Sequence, residues 1–127
     1  MSSEGLSTAV KGFIRGYIHS VTQIEILALI QAAPEKEWTA RAIDQLIRSN
    51  EQSVASRLVE FARAGLLTEI GGMDTTYRYQ PQTEALASAA AETVQAYRMR
   101  PVLVIETIFK PDDPGQSFAD AFRIRPK

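Results

Sequence analysis

The spacing of apolar residues changes at Gly65, and this change constrains the fold more than any other feature of the sequence. Before it, three apolar residues recur at the interval of one α-helix face: Val54, Leu58 and Phe61. Asn50, just ahead of them, is a residue type that favours a helix N-cap. After Gly65 the sequence reads LLTEI, GGMDT and TYRYQ, two β-prone runs around a turn. We predict a helix that ends in a Schellman motif at a left-handed Gly65, followed by a β-hairpin.

Three more helical patterns precede this one. STAVKGFIRGYIHS has an apolar stripe but also two glycines, which weaken a helix by about 1 kcal/mol each relative to alanine. VTQIEILALIQAAP is apolar on most sides, so we expect it to be central, with Thr22 opening a capping box. TARAIDQLIR should be capped by Thr39 and should bury Ile43, Leu46 and Ile47.

A long alanine-rich pattern follows the hairpin. Thr83 is its predicted N-cap, and Pro101 should kink or interrupt the helix, because proline lacks a backbone donor and clashes with the preceding turn. Residues 110–127 open as a Pro/Gly/Asp loop. Phe118 and Phe122 lie four residues apart within this tail, which predicts a short helical turn.

These patterns predict a mainly α fold with a small β-hairpin, an α+β protein. A length of 127 residues suits one compact domain with appendages. We divide the chain into an N-terminal helix at 1–20, a helical and hairpin domain at 21–81, a long helix at 82–109 and a loop-rich tail at 110–127.

The residue types present argue against several kinds of chemistry. The chain has no cysteine, so it offers no disulfide, thiolate nucleophile or cysteine zinc site. His19 is the single histidine, and no nucleophile with an orienting acid is recognisable around it. We therefore expect no enzyme, metal or cofactor. No run approaches the roughly eighteen apolar residues of a membrane span, and no signal peptide is visible, so we expect a cytoplasmic protein.

The segment TARAIDQLIRSNEQSVASRLVEFARAGLLTEIGGMDTTYRYQP resembles the winged helix-turn-helix of MarR-like bacterial transcriptional regulators. The resemblance is carried by the Thr39 cap, the VASRL core, the AGL that ends the recognition helix and the aromatic strand TYRY. The flanking helices resemble those of uncharacterised bacterial members of this superfamily. The resemblance implies a winged helix-turn-helix at 21–81 with N- and C-terminal helical extensions, and a DNA-binding role in transcription regulation.

The resemblance also implies which residues contact double-stranded DNA, since the first turns of a recognition helix meet base edges in the major groove. The implied residues are Arg48, Glu51, Gln52, Ser53, Ala55, Ser56, Arg57 and Arg78. Gln52 suits bidentate pairing with adenine, and either serine of the helix suits a base edge or a phosphate. Arg48 and Arg57 suit phosphates, and Arg78 could reach the minor groove or the backbone.

The charge balance keeps a second interpretation open. The chain has a net charge of -1 and a pI of about 5.8. Residues 39–80 contain five basic and five acidic residues, and the expected wing tip is not basic. Because phosphate neutralisation supplies much of the affinity for DNA, the same fold could instead bind a protein partner and no DNA.

The apolar seam of the C-terminal helix has two possible partners, the N-terminal helix of the same chain or a second copy. We predict a homodimer, because a monomer rarely exposes a stripe of this length. The predicted interface residues are Val10, Phe13, Tyr17, Leu86, Ala90, Val94, Tyr97, Val104 and Ile108.

Overall fold

The computed structural model describes residues 5–109. Within them the chain is mainly helical with one small antiparallel sheet, which is the α+β class predicted from the sequence. The helical turn predicted around Phe118 and Phe122 lies outside the described residues. The elements in chain order are α1 (Thr8–Tyr17), α2 (Val21–Ala32), α3 (Ala40–Ile47), α4 (Glu51–Arg63), β1 (Leu67–Ile70), β2 (Thr76–Tyr79), α5 (Glu84–Met99) and α6 (Pro101–Phe109).

Short polar side chains begin the helices. Thr39, Asn50 and Thr83 cap α3, α4 and α5 as predicted, each accepting a hydrogen bond from the backbone N–H three residues on. The prediction that Thr22 caps α2 is wrong. Ser20 is the cap, and its hydroxyl accepts a hydrogen bond of 3.2 Å from the N–H three residues on. Ser20 has the extended backbone that an N-cap requires, so Thr22 already lies inside the first turn.

The end of α4 is the predicted Schellman motif. Gly65 has a φ of 89°, in the left-handed region. The N–H of Leu66 donates to the carbonyl of Phe61 at 3.0 Å, and the N–H of Gly65 donates to that of Ala62 at 3.1 Å. The chain therefore leaves the helix in a fixed direction and enters β1, which pairs antiparallel with β2 as expected for the hairpin.

A third extended segment joins the hairpin at Trp38, between α2 and α3. The N–H of Trp38 donates to the carbonyl of Tyr77, and the N–H of Tyr77 donates to the carbonyl of Trp38, both at 2.8 Å. Both side chains are buried. The sequence did not predict this pairing, because a single residue has no periodicity to detect. The bridge holds the hairpin against the helical part of the molecule.

The core is built around α2, as its apolar composition predicted. Ile24 and Ile30 of α2 are fully buried, as is Ile43 of α3. The prediction that Leu46 faces inward is wrong, because its side chain is 60% exposed. Leu46 lies about 100° around the helix from Ile47. A helix of only eight residues that turns Ile43 and Ile47 inward therefore leaves Leu46 at its edge.

The seam of the C-terminal helices is covered by the chain's own α1, which packs against α5 and α6. The break at Pro101 is confirmed, since α5 ends at Met99 and α6 begins at Pro101. The assignment of this seam to a dimer interface needs correction, because its apolar surface is already covered within one chain. The buried members are Val10, Phe13, Ala90, Val94, Val104 and Ile108, and the half-buried ones are Tyr17, Leu86 and Tyr97.

Between residues 5 and 109, no helix combines the length and the apolar character that crossing a membrane requires.

Candidate nucleic-acid interface

The turn between α3 and α4 sets the start of the candidate recognition helix. Arg48 has φ 57° and ψ 49°, the one left-handed residue other than glycine among residues 5–109. Its N–H donates to the carbonyl of Asp44 at 2.7 Å, and the N–H of Ser49 donates to Oδ1 of Asp44 at 2.9 Å. Asn50 then caps α4. This tight turn leaves Arg48 exposed beside the N-terminus of α4.

One face of α4 is directed to solvent. Successive residues turn by about 100°, so Val54, Leu58 and Phe61 fix the buried direction. The exposed residues opposite to them are Gln52, Ser56 and Arg63. The structure thus places two of the residues implied by the resemblance on the outward face. It adds Arg63, which that resemblance did not point to, although its spacing from Ser56 is two helical turns and could have been read from the sequence.

A second side of α4 faces α1 and α2. Arg57 lies here, half-buried, and its Nη1 is 3.2 Å from Oε1 of Glu60. The same oxygen accepts a hydrogen bond of 3.2 Å from Nε2 of Gln23 in α2. Ser53 is half-buried, and its backbone N–H donates a hydrogen bond to Oδ1 of Asn50, the N-cap of the helix. Arg57 is therefore paired with a carboxylate and directed away from the outward face.

The third side of α4 faces α3. Nε of Arg41 lies 3.8 Å from Oε1 of Glu51, and both side chains are more than half exposed. Such exposed ion pairs contribute about 0–1 kcal/mol. Ala55, on the same side, is half-buried. Glu51 thus lies on the α3 side of the helix and not on the outward face. As the first residue of α4 it also favours the helix N-terminus through the helix dipole.

The hairpin carries Arg78 near its base. Arg78 lies opposite Thr68 in the antiparallel pair. Its Nη2 donates to Oε1 of Gln80 at 3.3 Å, and the hydroxyl of Thr68 donates to the same oxygen at 2.7 Å. Met73 at the tip is fully exposed, and residues 71–75 contain no basic residue. The positive charge of the hairpin therefore lies along β2 and does not project from its tip.

The described residues hold no group of three or more His, Asp or Glu side chains that could bind a metal ion. His19 is exposed, and its Nε2 lies 3.1 Å from the carbonyl of Arg15.

Comparison with known proteins found no relative of this chain. No model of a protein family matches the chain, and no curated protein or solved structure matches it either.

Proposed function

We propose that this chain is a winged helix-turn-helix protein that binds double-stranded DNA through α4, as transcriptional regulators do, in the cytoplasm. The order of elements supports the proposal: α2, the extended residue Trp38, α3, a tight turn, α4, and then the β1–β2 hairpin. In this arrangement the outward face of α4 is the surface that would enter the major groove.

The observation that carries the proposal is the composition of that face. Gln52 and Ser56 can donate and accept hydrogen bonds at base edges, and Arg63 can neutralise a phosphate. Arg48 adds a cation next to the start of α4, in a backbone conformation that costs about 1–2 kcal/mol for a residue other than glycine. Strain of this kind is concentrated at functional sites, which supports a role for the Arg48 side chain.

A fluorescence anisotropy titration of a random duplex at two salt concentrations tests DNA binding. The logarithm of the binding constant should fall with the logarithm of salt concentration by about 0.9 for each phosphate neutralised. Arg63→Gln should lower that slope by about 1 and weaken all duplexes alike, because it removes one phosphate contact. Gln52→Ala should instead relax base preference at a cost of about 1–3 kcal/mol on the preferred site.

Arg98→Gln is the matched control, since Arg98 is an exposed arginine that lies on α5. Like Arg63→Gln, it removes one positive charge, but it does not alter α4. The dependence of its DNA-binding constant on salt concentration should therefore equal that of the wild type. Binding without a salt slope, or an unchanged slope in Arg63→Gln, would contradict the proposed interface.

A groove between α2, α3 and α5 favours a second candidate function, a module that binds a protein partner. The groove has a volume of about 500 Å³ and an apolar floor that includes Leu29 and the exposed Leu46. Glu25 and Arg98 lie along it with opposite charges. Burial, with Glu25 nearby, raises the pKa of Tyr97 on the same wall. An amphipathic helix with one acidic and one basic residue fits these features.

A designed helical peptide with a leucine stripe, one lysine and one glutamate distinguishes the two candidates. If the groove is the functional surface, Leu46→Asp should weaken peptide binding about tenfold or more, because it places a charge at the apolar contact. The DNA titration with the same variant should be unchanged if α4 is the interface.

A further inference from the structure

A cavity of about 340 Å³ lies between the C-terminal end of α1, the N-terminal end of α2 and the C-terminal half of α4. This volume is at the lower end of the range for small-molecule sites, so it suits one small ligand. Charged and apolar residues both line it: Arg57, Glu60 and Phe61 from α4, and Tyr17 from α1. The combination calls for a ligand with both a polar and an apolar part.

Gln23 forms the polar floor of this cavity. Its side chain is 1% exposed, and both ends of its amide are used. Oε1 accepts a hydrogen bond of 2.5 Å from the backbone N–H of His19, and Nε2 donates to Oε1 of Glu60 at 3.2 Å. An apolar side chain could fill this buried position without needing hydrogen-bond partners. The buried amide instead holds the Glu60 carboxylate at the edge of the cavity.

The pair formed by Arg57 and Glu60 keeps capacity for further hydrogen bonds. The contacts from Gln23 and Arg57 both end on Oε1 of Glu60, and Arg57 uses Nη1 alone in this pair. A guanidinium has five N–H donors, and a carboxylate has two acceptor oxygens. The remaining donors can bind a carboxylate, and Oε2 of Glu60 can accept from an ammonium group. The two side chains are 32% and 52% exposed, so a ligand can reach both.

We propose that this cavity binds a free α-amino acid with an apolar side chain. The carboxylate of the ligand pairs with Arg57, the ammonium group pairs with Glu60, and the side chain packs against Tyr17 and Phe61. An α-amino acid carries its two charged groups on the same carbon, which matches a cation and an anion three residues apart on α4. The proposal does not depend on DNA binding, because it uses the side of α4 that carries Arg57 and not the outward face of that helix.

Gly16 permits a test that leaves the charged residues intact. It lines the cavity, and no atom lies within 4 Å of a Cβ added there. Gly16→Leu should therefore fill the cavity without a clash. Gly12→Leu is the matched control, since Gly12 lies on the same helix, is equally free of neighbours and does not line this cavity. Thermal melts should show that both variants are folded.

Isothermal titration of the full chain with L-phenylalanine measures the binding. The wild type and Gly12→Leu should bind alike, and Gly16→Leu should lose binding. Two analogues of L-phenylalanine test its two charged groups one at a time. The analogue 3-phenylpropionate lacks the ammonium group, and phenethylamine lacks the carboxylate. Each should bind about tenfold or more weakly than L-phenylalanine. Arg57→Gln should weaken 3-phenylpropionate and leave phenethylamine unchanged, and Glu60→Gln should do the reverse.

Two results would overturn the proposal. The first is equal binding of L-phenylalanine by Gly16→Leu and the wild type, which would place the ligand elsewhere. The second is no saturable binding of L-phenylalanine, L-leucine or L-tryptophan at millimolar concentration. Neither result bears on the DNA titration, so the two proposals can fail separately.

Discussion

Gly65 is the residue whose conformation decides where α4 ends. Its φ of 89° is strained for any residue with a Cβ, and a Cβ there would lie 2.8 Å from Oε1 of Gln82. Gln82 is exposed and can move, so the backbone conformation is the larger cost. We expect Gly65→Val to lower the free energy of unfolding by more than about 1 kcal/mol, measured by urea denaturation.

Gly71→Ala is the control for this substitution, because no atom lies within 4 Å of a Cβ at Gly71 and its φ is outside the left-handed region. It should change stability by less than about 0.5 kcal/mol. If Gln82→Ala restored the stability of Gly65→Val, contact and not backbone strain would be the cause.

Tyr77, in the middle of the hairpin's second strand, should make stability depend on alkaline pH. Burial, and then the charge of Glu69, raise the pKa of its phenol above the ordinary value of 10.0. Because the pKa of Tyr77 is higher in the folded state, the unfolded chain loses the phenol proton first as the pH rises past 10. The stability contributed by the neutral phenol is therefore fully present below pH 10, and it is lost as the pH rises through the folded-state pKa. Tyr77→Phe cannot ionise. Between about pH 8 and about pH 11, the free energy of unfolding of Tyr77→Phe, measured by urea denaturation, should fall by less than that of the wild type. Equal losses would contradict this linkage.

Among the helices, α1 has a weak intrinsic tendency to form, because it contains two glycines. It has ten residues, of which Gly12 and Gly16 are glycines, and it is held by the burial of Val10, Phe13 and Ile14. A Cβ at Gly12 meets no atom within 4 Å. Gly12→Ala should therefore raise the free energy of unfolding by about 0.5–1 kcal/mol in urea denaturation. A loss of stability would show that α1 needs an unhindered surface at Gly12.

For the whole molecule, the homodimer stays a prediction, and because α1 covers the seam its interface would have to lie on another surface. Val94 is 1% exposed within one chain, whereas Val102 and Phe109, seven residues apart on the outer face of α6, are 67% and 68% exposed. We expect the wild type to sediment at twice 14.0 kDa at micromolar concentration. Phe109→Glu should halve that mass and leave stability within about 0.5 kcal/mol, because it charges an exposed apolar stripe.

Val94→Glu is the contrasting variant. It buries an unpaired carboxylate in the contact between α1 and α5, so it should lower the free energy of unfolding by several kcal/mol whatever the oligomeric state. A wild type that sediments as a monomer would refute the dimer. A dimeric Phe109→Glu would show that α6 is not the interface.

Most of the local structure could be predicted from neighbouring residue types. The caps Thr39, Asn50 and Thr83, the left-handed Gly65 and the break at Pro101 are where the patterns predicted them. Each of these features depends on backbone groups within about five residues, so neighbouring residue types are enough to specify it. In the candidate interface, the outward positions of Gln52 and Ser56 follow in the same way from the period of the helix.

Tertiary structure alone decided which surfaces cover each other. Trp38 pairs with Tyr77, and Gln23 of α2 contacts Glu60 of α4 thirty-seven residues away, so the hydrogen bond that holds the Glu60 carboxylate depends on how α2 lies against α4. The spacing of apolar residues identifies the face of a helix that will be buried, but not the surface that will cover it. The hydrophobic effect is non-directional, so any apolar surface of sufficient area can cover that face. For that reason α1 could take the place predicted for a second chain.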